Sequence, residues 1–208
     1  MFLVVSVNSA SEGHGDSSVG NHRAAYQAAV APDVRPNAQH DSIPDWVGPN
    51  ERSSDLLVTS PQTLMIPSLD LRTAVHEVGV SPRGVVHVPA DVSTVGWVDS
   101  TVVPGAERGS SVIVGHRDGP RGENGALYDI GRLDVGAKIQ VANSNSVISE
   151  FTVISREVIV KSEFGERADE FFSRSGDARL TMITCGGEYD KDNGGYLANV
   201  VVTALPIG

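Results

Sequence analysis

From Leu64 onward the chain is a succession of short β-branched and aliphatic runs, each cut off by Gly, Pro, Asp or Asn, and this rhythm restricts the fold more than any other feature. The runs are Leu64–Pro67, Leu69–Leu71, Ala74–Val78, Val85–Val88, Ser111–Val114, Lys138–Val141, Glu150–Ile154, Glu157–Val160, Leu180–Thr184 and Asn199–Ala204. Strands of this length at regular intervals, with turn residues between them, predict an all-β core that closes into a barrel or packs as a sandwich. Two segments break the rhythm. Gly125–Leu133 has apolar residues at helical spacing, and Phe164–Ser173 contains Asp169-Glu170-Phe171-Phe172, so each reads as one or two helical turns packed on the barrel.

The first 62 residues differ in kind. Met1–Val7 is an apolar stub too short to span a bilayer, and it resembles the outer end of a membrane anchor. Residues 9–60 are rich in Ser, Asn, Asp, Gly and Pro and offer little apolar surface to offset the entropy of ordering, so 1–62 reads as a largely disordered spacer ahead of a folded domain over 63–208. His14, His22 and His40 in that stretch lack the spacing of a metal site.

Acidic residues outnumber basic ones by 26 to 16, for a formal net charge of -10, which argues against binding nucleic acid through its phosphates. The single cysteine, Cys185, excludes an intramolecular disulfide and a multi-cysteine zinc site. A lone thiol is either inert packing or reactive. Here it closes an apolar run and is followed by Gly186-Gly187 and a loop-like stretch of Glu, Asp, Asn and Gly, which predicts a sulfur at a strand end, near solvent and substrate. The two glycines leave room for a peptide backbone, and their N–H groups are candidate donors to an oxyanion, or else they only form a turn.

A nucleophilic thiol needs a neighbouring cation or base, because its ordinary pKa of ~8.5 leaves only a few per cent ionised at neutral pH. His116 is the best candidate, since it follows Val112-Ile113-Val114-Gly115 and emerges at a strand end. His76 and His87 lie inside alternating patterns, where a surface or packed role fits better.

Together, Gly115-His116 after a Val/Ile strand, Gly125-Ala126-Leu127-Tyr128 with Leu133 and Gly136 beyond, and Thr181-Met182-Ile183-Thr184-Cys185 resemble the sortase family, over about Ile66 to Ala204. Thr184–Asp190 with Gly195-Tyr196 and Asn199–Val202 is similar to the actinobacterial class called class F. The resemblance implies a closed eight-stranded sortase-type barrel with one or two short helices. It implies a transpeptidation in which Cys185 attacks the Thr–Gly carbonyl of an LPXTG-like sorting signal, His116 acts as acid and then base, and an amine of a peptidoglycan precursor resolves the thioester. It further implies Thr184, Gly186 and Gly187 beside the substrate, no cofactor and no metal, and a cell-envelope enzyme on the extracytoplasmic face, held by an N-terminal transmembrane anchor.

One departure stands out. Sortases carry an arginine on the strand after the active-site loop, whereas no arginine follows Arg179 here. Asn199 lies near that position and is the expected third member of the site, although an amide brings no charge. Arg117 enters the site only if its strand has already ended. Two other readings remain: an L,D-transpeptidase, which would show a Ser-His-Gly-Cys cluster in place of Met-Ile-Thr-Cys, and a degenerate sortase-like domain that binds sorting peptides without cleaving them.

Overall fold

The computed structural model describes residues 59–192 and 194–207. The stub and most of the expected spacer lie outside them. Eight strands form: β1 (Pro61–Ile66), β2 (Leu71–Val78), β3 (Val95–Val98), β4 (Ser110–Gly115), β5 (Lys138–Asn143), β6 (Ile148–Val160), β7 (Arg179–Asp190) and β8 (Gly195–Pro206). They close in the order β1-β2-β3-β4-β7-β8-β6-β5, with β5 returning to β1, so no long edge is left unpaired. The β2·β3 and β4·β7 pairs are parallel and the rest antiparallel.

Strand alternation sorts the apolar residues into two clusters. One fills the barrel: Leu64, Ile66, Trp97, Ile113, Ile139, Phe151, Leu180, Met182, Val200 and Val202 belong to it. The other lies on the outer face of β4, β7 and β8 and includes Val112, Val114, Ile183, Cys185 and Val201. Two short helices, α1 (Lys161–Phe164) and α2 (Ala168–Phe172), joined by a 3-10 turn at Gly165–Arg167, cover this outer face. Their buried rings, Phe164 and Phe171, stack with centroids 5.4 Å apart.

Some expected elements take another form. Val85–Val88 is not a strand; apart from an isolated bridge between Val80 and Val86 it runs as irregular chain, and Val86 and Val88 pack into the outer cluster. The runs at Glu150–Ile154 and Glu157–Val160 belong to one long β6, irregular between Val153 and Ser155. Gly125–Leu133 forms turns and a single 3-10 turn at Ile130–Arg132. The expectation that Cys185 ends its strand is corrected: β7 continues to Asp190, because β8 pairs with it past the cysteine and a register shift between Gly186 and Tyr189 absorbs the glycines.

Candidate active site

Cys185 is placed by two ladders. Against β8 it is level with Asn199, and directly opposed residues on antiparallel strands project to the same face. Against β4 the parallel ladder runs as far as Val114 opposite Ile183. His116 and Cys185 each lie two residues beyond that last pair; β4 has ended by then, so the histidine follows directly on the paired strand while the cysteine is still within β7. The strands are still in contact at that height. The Thr184 hydroxyl donates to the Gly115 carbonyl at 2.9 Å, both groups being buried. Thr184 is therefore occupied in fixing the end of β4, one residue before the histidine.

β4 ends at Gly115, and the chain then turns. Gly125 makes the turn possible: a Cβ there would lie 2.3 Å from the His116 carbonyl oxygen. The Leu127 N–H donates to that same oxygen at 3.1 Å, and the Gly125 N–H donates to the Arg117 carbonyl at 2.8 Å. The imidazole is half-buried, with Nε2 2.9 Å from the Pro89 carbonyl oxygen, so a proton on Nε2 is donated to that oxygen. No hydrogen bond between the ring and the Cys185 sulfur is present among the described residues. His116 also lines a cleft of about 620 Å³ with Val86, Val88, Pro89, Ala90 and Asp118. His76 and His87 are both exposed.

The thiol is only 6% exposed and touches the outer apolar cluster, so its expected place near solvent is not what the fold provides. The covering helices and Val86 exclude water from it. Burial pushes the thiol above its ordinary pKa; Lys161 acts most strongly in the opposite direction, Asp118 raises it further, and Arg117 lowers it. Asn199 is fully buried, and neither its Oδ1 nor its Nδ2 has a hydrogen-bond partner. An unpartnered buried amide costs about 1–3 kcal/mol. Gly186 and Gly187 follow the sulfur under tight constraint: a Cβ on Gly186 would meet Val200 Cγ2 at 2.4 Å, and Gly187 has φ +74.

Arg117 does leave its strand, as the end of β4 allows. Its guanidinium sits 5.3 Å from the ring centroids of both Tyr128 and Tyr196, whose hydroxyl donates to Asp118. It lines a surface cleft with Gly187 and Val200. Sequence reasoning missed this cluster, the Pro89 carbonyl beside His116 and the influence of Lys161. Tyr128 belonged to the motif that carries the family resemblance, whereas nothing in the sequence marked Lys161.

A model of the sortase domain family matches residues 64–207. The chain belongs to the sortase family. Sortases are cysteine transpeptidases that act on sorting-signal substrates and are usually associated with the cell envelope. Sortase E1 from Streptomyces coelicolor, solved with a tripeptide in its active site, is 22% identical over 73% of this chain and 90% of its own, with a TM-score of 0.53. Sortase C1 from Streptococcus suis gives a TM-score of 0.54 at 17% identity, covering 74% of this chain and 76% of its own. A lid mutant of sortase A from Corynebacterium diphtheriae gives 0.53 at 15% identity, covering 71% and 70%. These likenesses establish the eight-stranded sortase barrel. No curated protein sequence matches the chain.

Among the described residues of this sortase, no group of three or more His, Cys, Asp or Glu side chains is arranged to hold a metal ion. No helix among them is long and apolar enough to cross a membrane.

Proposed function

We propose that this sortase cleaves an LPXTG-like sorting signal between Thr and Gly and transfers the exported protein to an amine of a peptidoglycan precursor, as a member most like class F. The observation that supports the reading is that the β4·β7 ladder ends two residues before both His116 and Cys185, with the Thr184 hydroxyl still on the Gly115 carbonyl there. The Cys185 thiolate attacks the Thr carbonyl carbon, forming a C–S bond and sending the carbonyl electron pair to oxygen. The N–H groups after the sulfur, at Gly186 and Gly187, and the Asn199 amide are the groups available to that oxyanion. Collapse breaks the C–N bond, and protonated His116 gives its proton to the departing Gly amine. The incoming amine then attacks the thioester, His116 takes the proton, and the thiolate leaves.

The catalytic domain is residues 63–208. Residues 1–62 serve as the spacer to an N-terminal transmembrane anchor on the extracytoplasmic face.

A second reading has a specific observation in its favour. Cys185 is buried with a raised pKa, and the described part of β8 carries no arginine, which suits a weak or degenerate sortase that binds sorting peptides without cleaving them. Mass spectrometry of the full chain incubated with a small set of LPXTG-like peptides separates the two. The proposal expects an acyl adduct on Cys185 that Cys185→Ala abolishes and that His116→Ala forms slowly or fails to resolve. Cleavage retained in Cys185→Ala would overturn the mechanism; peptide binding with no adduct on any time scale would establish the second reading.

A further inference from the structure

The ladder that places Cys185 continues across two more strands. Cys185 is level with Asn199 on β8, and Asn199 is level with Ile159 on β6. Two residues past Ile159, at the first residue of α1, is Lys161, half-buried and in no ion pair among the described residues. By alternation Leu197 lies on the same face of β8 as Asn199, and it is exposed and carries no charge. The described residues of β8 thus carry no cation, while a lysine stands at the junction of β6 and α1.

We infer that Lys161 supplies the positive charge of the site, stabilising the Cys185 thiolate across β8 as a positioning residue for the nucleophile. The inference rests on the reading of Cys185 as the nucleophile.

The charged and titratable groups around the sulfur leave Lys161 as the uncompensated one. From the chain after β4 come His116, together with Arg117 and Asp118, which are adjacent and of opposite sign. Arg117 is held between two tyrosine rings, and Asp118 accepts from Tyr196, so this pair is committed to its own cluster. Near the sulfur β8 offers Leu197, Asn199, Val201 and Tyr196. Besides the buried rings of Phe164 and Phe171, β6 and the helices bring Glu157 and Glu170, both paired with Arg167. Glu163, Glu166, Asp169 and, on the covering chain, His87 are exposed to solvent. Of the charges that act on the thiol, Lys161 has the largest effect, and it favours the thiolate. Asn199 lies between the two on its strand with its amide unpartnered, so it is free to accept from an ammonium or donate to a thiolate.

The test reads the rate of Cys185 alkylation by iodoacetamide against pH, in the wild type, Lys161→Gln and Lys161→Arg, at low salt and in 1 M salt. Two strand spacings and a two-residue offset along the sheet put the Lys161 and Cys185 backbones about 12 Å apart, a range at which an ion in a partly solvated setting moves a pKa by about half a unit, or roughly threefold in thiolate population. Lys161→Gln is therefore expected to move the alkylation midpoint upward and slow the neutral-pH rate about threefold at low salt. Lys161→Arg should behave as the wild type, and the difference should shrink in 1 M salt, where screening acts within ~3 Å. An unchanged profile in Lys161→Gln overturns the inference, and so does an equal shift in both variants, which would mark a packing role.

The alkylation readout separates this inference from the proposed activity. A shifted profile in a protein that never forms a peptide adduct upholds the charge and removes the transpeptidation. An adduct with an unshifted profile does the reverse.

Discussion

The two faces of the β7·β8 pair are built from the same two strands and do opposite work. The inner face presents Leu180 and Met182 beside Val200, Val202 and Ala204, all buried in the barrel's apolar interior. The one inward polar group near its end, the Thr184 hydroxyl, is spent on the Gly115 carbonyl. The outer face presents Ile183, Cys185, Asn199 and Val201, covered by the short helices, the chain at Val78–Val88 and Tyr196. There a thiol with a raised pKa lies level with an amide that has no partner. Both faces are buried, so the difference lies in what they bury: apolar side chains inside, and a thiol beside an unpartnered amide outside.

The contrast can be broken at either face. The largest effect on stability is expected inside: Leu180→Ala opens a cavity in a fully buried position and should cost about 2–5 kcal/mol in a denaturant titration. The thiol reactivity of the molecules that remain folded should be unchanged, and a loss of reactivity in step with the loss of stability would merge the two faces into one structural unit. A smaller effect of opposite sign is expected outside. Asn199→Leu removes an unpartnered amide at nearly constant volume, so stability in the same titration should stay level or rise, by up to about 1–3 kcal/mol. Peptide acylation of Cys185 should slow in the same variant. Destabilisation with unchanged acylation would show that Asn199 serves packing alone.

Much of the barrel was legible in the sequence because closure forces strands to be short, apolar and separated by turn residues. β2, β4, β5, β7 and β8 all grow from runs visible as β-branched stretches. Val85–Val88 carries the same signal without being a strand, since the pattern reports burial and not pairing, and Val86 is buried under the outer cluster instead. Cys185 and His116 were singled out from local context. That context misjudged the burial of the sulfur, because Gly186-Gly187 reads as a turn when its partner strand is not known. Lys161 was illegible for a physical reason: its relation to Cys185 is transmitted across β8, through two registers that only the folded sheet defines.

The account stands on the adjacency of positions 116 and 185, and a disulfide reports it most directly. In His116→Cys under mild oxidation, the proposed adjacency requires the two Cα atoms to come within the roughly 4.4–6.8 Å that a disulfide spans. The predicted result is a monomeric product lighter by two hydrogens, with both thiols lost and the original mass restored by reductant. Two thiols that stay free and alkylate independently, or that pair only between molecules, would contradict it.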